Sequence, residues 1–138
     1  MTAKRPATVL AFDFGLRNIG VATGQAVTYT ATELGTVRAR EGAPDWKAMD
    51  ALVHEWLPDV LAVGLPLNMD GSLSDMAARA KRFAAKLRAR YRLTVELVDE
   101  RLTSFEARGL SRDLDEQHAI AARLIAETYL ASLKVLGA

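Results

Sequence analysis

Apolar residues run almost unbroken through TVLAFDF, residues 8 to 14, and again through VLAVGLP, residues 60 to 66. Runs of this length without alternation predict strands buried on both faces. Between them, IGVATGQ and VTYTATELGTV are β-rich, the second with partial alternation, and GLRN turns the chain after the first strand. The first three strands therefore form an antiparallel meander. The period then becomes helical: Trp46, Met49, Leu52, Val53 and Trp56 recur on one face, with Pro44 in a first turn and Pro58 as the stop. After the fourth strand, NMDGS is turn chemistry. Ser72 and Asp75 then form a capping pair for a long helix that buries Met76, Ala80, Phe83, Ala84 and Leu87. LTVELV gives a fifth strand ending at DER. A last helix runs from about Glu116 to Leu136, with His118, Ala122, Ile125, Tyr129 and Leu133 along one stripe. The order β-β-β-α-β-α-β-α, with a helical crossover between strands four and five, makes those two strands parallel and right-handed in connection. The expected fold is α/β, a five-stranded mixed sheet flanked by helices, in one domain over residues 1–138.

Half of the 138 residues are hydrophobic and a quarter charged, which suits a globular domain with a core of its own. With no cysteine, disulfides, thiolate catalysis and cysteine zinc sites are excluded. No apolar stretch reaches the ~18 to 20 residues that span a bilayer. MTAKRPATVLAFDF lacks the pattern of a signal peptide, so the expected location is cytoplasmic. The net charge of +1 gives no general pull toward nucleic acid, but its distribution is uneven. RAKRFAAKLRARYR, residues 79 to 92, holds seven Arg or Lys and no acid, whereas acids gather in RDLDE at 112 to 116.

Asp13 is the one acid inside the first apolar run, where a desolvated carboxylate without a partner costs several kcal/mol. Sites in α/β sheets form outside the carboxyl ends of strands. Asp13, the GLPLNMDG loop and the DER triplet (Asp99, Glu100, Arg101) all fall at such ends. Carboxylates converging from separate strands repel unless a cation lies between them. An oxygen-rich site without cysteine suits Mg²⁺ or Mn²⁺, ions that organise a water nucleophile in phosphodiester cleavage. Each feature also has a plain structural reading. Asp13 could accept backbone N–H bonds, DER could be a strand-end salt bridge, and NMDG a simple turn. The basic stripe of Arg79, Arg82, Lys86 and Arg90 could be a solvated helix face, and Asp113, Asp115 and Glu116 could complement a helix dipole. His54, mid-helix with no acidic motif nearby, reads as structural.

AFDFGLRNIGVATGQ, PDVLAVGLPLNMDGS and VDERLTSFEAR, in this order and spacing, closely resemble the YqgF/RuvX family of RuvC-like, RNase H-fold proteins. That family is described as Holliday junction resolvases and as pre-16S ribosomal RNA nucleases. The resemblance covers about Thr8 to Leu130. It implies an RNase H-like sheet with strands one to three antiparallel and strands four and five parallel to the first. It also implies two-metal hydrolysis of a phosphodiester backbone. Asp13 matches the first-strand metal ligand and Glu100 the second acidic position, while Asn68 and Arg101 match positions expected to line the site. Arg17, in the turn after Asp13, could touch phosphate.

The chain departs from the family where the last helix begins. The family pattern there, D-x-x-A-A, supplies a third carboxylate; here HAIAA puts His118 at that position, after a loop that looks short for the family. Three readings stay open. His118 ligates a metal itself, imidazole suiting Mn²⁺ or Zn²⁺ better than Mg²⁺; Asp115, three residues earlier, supplies the carboxylate; or the site is weakened. The leading expectation is a hydrolase, an endonuclease on structured RNA, such as a ribosome precursor, or on branched DNA, with Arg79, Arg82 and Lys86 on phosphates. It would work as a monomer or homodimer. A nucleotide-dependent kinase or ATPase of the actin-like type would need a second such domain, and no Walker-type glycine loop is present. A non-catalytic nucleic-acid-binding module is the third class.

Overall fold

The computed structural model describes residues 8–102 and 113–135. The loop before the last helix, the end of the VDERLTSFEAR block and the last residues of that helix's expected span lie outside the described residues. Strands β1 (Thr8–Asp13), β2 (Asn18–Gln25), β3 (Thr30–Arg40), β4 (Ala43–Pro44), β5 (Val60–Leu65) and β6 (Thr94–Asp99) form one sheet in the order β4-β3-β2-β1-β5-β6. Helices α1 (Trp46–Trp56) and α2 (Asp75–Tyr91) pack on one face, and α3 (Leu114–Val135) on the other. The β1–β2 and β2–β3 pairs are antiparallel, with a bulge between Val21 and Ala22, while β1–β5 and β5–β6 are parallel.

The sheet has six strands rather than five. The extra one, β4, pairs Pro44 with Ala39 and Ala43 with Arg40 across a two-residue turn, Glu41–Gly42. Both turn residues have positive φ, 50° and 86°, the conformation of a type I′ hairpin. Pro44 is therefore a buried edge-strand residue, not part of a helical first turn. Asp45 caps α1 instead, its carboxylate accepting from the Lys47 and Ala48 amides at 3.1 and 3.3 Å. The cap of α2 is Ser74 rather than Ser72: its hydroxyl accepts from the Ala77 amide at 3.0 Å and donates to the Pro66 carbonyl at 2.6 Å. Ala77, not Met76, is the fully buried residue of that first turn.

Period-two alternation divides the buried strands between the two faces. Leu10, Phe12, Leu61 and Val63 join Phe83 and Leu87 of α2 and Met49 of α1 in the larger core. Val9, Ala11, Val60 and Ala62 face α3, with Ile125, Ala126 and Leu130. The α3 side is built from small residues, so the helix lies close to the sheet. A Cβ on Gly20 would overlap the His118 carbonyl, and one on Gly24 would come within 3.0 Å of Leu130. By the same alternation Asp13 follows Val9 and Ala11 onto the α3 face.

Candidate active site

Asp13 ends β1 directly opposite Gly20 of β2. Because Gly20 has no side chain, the backbone of α3 seats on the strand there, and that contact carries the His118 ring to the end of β1. His118 Nδ1 lies 2.7 Å from Asp13 Oδ2; with the carboxylate ionised, Nδ1–H donates. The tip of β1 is tight as well: a Cβ on Gly15 would overlap the Asn18 carbonyl and stand 3.2 Å from His118 Cε1.

Glu100 arrives from the other side. It opens a single 3₁₀ turn, Glu100–Leu102, after β6 and is 5% exposed, one of two buried polar or charged residues among those described. Gly64 of β5 makes the space, since a Cβ there would come within 2.6 Å of the Glu100 side chain. Burial pushes the Asp13 carboxyl up, against a lowering hydrogen bond from Glu100. Glu100 is pushed up further, first by burial, then by the Asp13 charge and the hydrogen bond between them, with His118 pulling the other way. Burial and the proximity of the two groups therefore both oppose ionisation of the pair in the absence of a compensating charge.

Two carboxylates and an imidazole are a donor set suited to a divalent cation. Among the described residues, no three His, Asp or Glu stand in a ready-made cation geometry; His118 is engaged with Asp13.

The other expected site residues have different partners. Asp99 and Arg101 do form a strand-end salt bridge, with Arg101 Nη2 2.7 Å from Asp99 Oδ2 and its Nε at 3.1 and 3.0 Å from both oxygens. Arg101 Nη1 also donates to the Met69 carbonyl at 3.3 Å, and Asn68 Nδ2 donates to Ser72 Oγ at 2.9 Å, so both residues hold the loop after β5 in shape. Neither hydrogen-bonds to Asp13. Asp115 is exposed in the first turn of α3, where its amide donates to Asp113 Oδ1 at 2.9 Å, and no described hydrogen bond or ion pair joins its carboxylate to Asp13. Asp113 thereby caps α3, also accepting from the Glu116 amide at 3.4 Å.

The basic stripe divides in two. Arg90 is a structural residue: it grips Asp50 of α1 through two bonds of 2.8 and 2.6 Å and lies 4.8 Å from the centre of the Trp46 ring. Arg79, Arg82 and Lys86 carry no ion pair among the described residues. They line a cleft of about 130 Å³ with Phe14, Phe83 and the Glu41–Gly42 turn, and Arg17 and Arg79 flank Glu41 on its other side. Phe14 and Asp13 are consecutive, so this basic cleft opens on the α2 face of the sheet while the acidic pair sits on the α3 face. Sequence reasoning missed Glu41, Phe14 and the glycines at 20 and 64. The EG dipeptide between TVRAR and AP was the available signal for the hairpin.

The family model described as "RuvX: Holliday junction resolvase" matches residues 7–132. A protein of Hahella chejuensis named "Putative pre-16S rRNA nuclease" is 48% identical over 90% of this chain and 84% of its own length. Proteins of the same name from Marinobacter nauticus (50% identical, 88% of this chain and 90% of that one) and Azotobacter vinelandii (49%, 91% and 94%) are similar to the same extent. Among solved structures, Thermus thermophilus RuvC in complex with a Holliday junction superposes with a TM-score of 0.60 at 15% identity, covering 93% of this chain and 96% of that one. The yeast mitochondrial resolvase Ydc2 gives 0.54 at 12% identity, covering 97% and 83%. The structural likenesses establish the RuvC-like RNase H fold. With a sequence match that extends from β1 through most of α3 and takes in both Asp13 and Glu100, the chain belongs to the RuvX/YqgF family.

Proposed function

We propose that this chain is a metal-dependent endonuclease that hydrolyses nucleic-acid phosphodiester bonds, trimming the 5′ end of pre-16S ribosomal RNA. The observation that carries this reading is the pairing of half-buried Asp13 with buried Glu100 at the carboxyl ends of β1 and β6, with His118 on Asp13. Asp13, Glu100 and His118 are the residues that would hold Mg²⁺ or Mn²⁺. A divalent ion bound there supplies an activated water and charge compensation at the leaving oxygen.

The chain's own groups account for the rest. Glu100, packed against Gly64, keeps one carboxylate out of bulk water and near the other. His118 engages Asp13 Oδ2 and so fixes the rotamer of that carboxylate. Arg17, Arg79, Arg82 and Lys86 take backbone phosphates, a contribution independent of sequence and weakened by salt. The names of the relatives support RNA processing as the role. A second reading, cleavage of branched DNA, is favoured by the description of the matching family, and it would call for two copies of the site in a homodimer.

The test is cleavage of a labelled precursor-rRNA fragment and a four-way DNA junction, side by side, in Mg²⁺, Mn²⁺ and EDTA. Metal-dependent cutting of the RNA supports the first reading and preference for the junction the second. Asp13→Asn is expected to abolish cleavage with no loss of thermal stability, because a crowded acidic pair loses one charge. Normal cutting by that variant would sink the assignment of the site. Binding that persists in EDTA without cleavage under any metal would make the chain a nucleic-acid-binding module.

A further inference from the structure

The cleft between α2 and the Glu41–Gly42 turn has a composition that phosphate binding alone leaves unexplained. Its floor is aromatic. Phe12, Phe83 and Phe14 form a column, with Phe12 and Phe83 edge to face at 5.9 Å and Phe83 and Phe14 tilted by 37° at 5.2 Å. Phe14 ends the column, half-buried and open to the cleft. One wall carries Arg79, Arg82 and Lys86. The opposite rim carries Glu41, a carboxylate with no hydrogen bond or ion pair among the described residues, set among cations.

Glu41 is held there at the expense of local backbone preference. Its φ of +50° is the left-handed conformation that Asn or Gly adopts most readily in such turns. The turn is fixed in place: the Gly42 amide donates to the Leu16 carbonyl at 2.9 Å, and a Cβ on Gly42 would stand 3.0 Å from Phe14 Cζ. A strained position that presents an unpaired acid at the rim of a cleft floored by an aromatic ring is better suited to recognition than to stability.

We propose that this cleft is a nucleotide subsite for one unpaired guanosine of the substrate. The base stacks on Phe14, its Watson–Crick edge meets Glu41, and its phosphate meets Arg79, Arg82 and Lys86. A carboxylate only accepts hydrogen bonds. Guanine alone among the four bases offers two adjacent donors, N1–H and N2–H, that match the two oxygens in parallel. Adenine and cytosine set a ring acceptor beside their amino donor, and uracil has one N–H between two carbonyls. That edge is free only when the base is unpaired. The proposal rests on the nuclease reading only in taking the ligand to be part of a nucleic acid.

The experiment is titration of the full chain with 5′-GMP, 5′-AMP, 5′-CMP and 5′-UMP, followed by NMR shifts of the cleft residues. GMP is expected to saturate at a concentration at least fivefold below the other three. Glu41→Gln should remove that preference while all four still bind through phosphate. Glu41→Asn should do the same and also raise Tm, since Asn suits the turn, which separates recognition from folding. Arg82→Ala should weaken all four alike. Equal binding of the four nucleotides, no saturable binding, or a guanine preference that survives Glu41→Gln would overturn the subsite. If metal-dependent cleavage persists without GMP selectivity, the subsite fails alone. Selective GMP binding with no cleavage of any substrate would leave the subsite standing and the nuclease reading in error.

Discussion

Gly20 faces the carbonyl of His118 so closely that a single methyl group has no room between strand and helix. Backbone against backbone leaves no flexible side chain to yield, so α3 itself must move. Gly20→Ala should therefore cost about 1–3 kcal/mol, the range for overpacking a filled interior, read as a lower urea midpoint at unchanged m. It should also draw the imidazole away from Asp13, so cleavage should fall by more than the unfolded fraction explains. Gly64 acts in a similar way for Glu100, where the crowding atoms belong to the side chains of Ile125 and of the catalytic candidate itself. Asp13 itself resolves into something other than a satisfied core carboxylate: its partners are two ionisable side chains, and one of them is another acid.

At the scale of elements, α2 does two separable jobs. Its carboxyl-terminal turn is bolted to α1 by Arg90, which grips Asp50, with the Tyr91 hydroxyl donating to the same carboxylate at 2.6 Å. The Arg90 guanidinium, then the Tyr91 hydroxyl, hold the Asp50 carboxyl down at about 2. A depressed folded value means that the linked stability is present above the ordinary carboxylate range and is lost as pH falls through about 2. Thermal melts between pH 5 and 2 should thus show a decline that is shallower in Asp50→Asn, with no difference in slope between the two proteins above pH 5. The middle of the helix does the other job. Arg82→Ala with Lys86→Ala should weaken substrate binding and flatten its dependence on salt by about 0.7–0.9 in log–log slope for each phosphate no longer neutralised. An unchanged slope would make Arg82 and Lys86 an ordinary solvated surface.

For the molecule as a whole, the site lies where β1, β6 and α3 meet, so anything that binds there ties the sheet to its closing helix. A ligand bound only by the folded chain adds about 2.7 kcal/mol at a hundredfold excess over Kd. For a domain of this size that is roughly 3–4 °C of Tm per kcal/mol. Mg²⁺ and Mn²⁺ should each raise Tm, Mn²⁺ more, since His118 offers a nitrogen donor, which suits Mn²⁺ better than Mg²⁺. His118→Asp should reverse that order and raise Mg²⁺-supported cleavage. The same melting order in both proteins would mean that residue 118 does not hold the ion.

Much of this was legible in local pattern. Unbroken apolar runs and a change of period mark β1, β5 and the helices, because burial on both faces and a 3.6-residue repeat leave signatures within ten residues of chain. The acids at strand ends and the LPLNMDG and DER blocks pointed to Asp13 and Glu100, since topology alone brings carboxyl ends of parallel strands to one edge. Other features follow from contacts between distant segments, which no window along the chain records. Ser74 took the cap from Ser72 because the Pro66 carbonyl could accept its hydroxyl, and Pro44 went to a sheet edge because Ala39 lay alongside. Arg90 left the basic stripe for Asp50, forty residues away. The meeting of His118 with Asp13, the hollow that Gly64 leaves for Glu100 and the placing of Glu41 and Phe14 on one cleft were decided by tertiary structure alone. Each depends on how closely two backbones approach, and that distance is set by side chains that are missing rather than present.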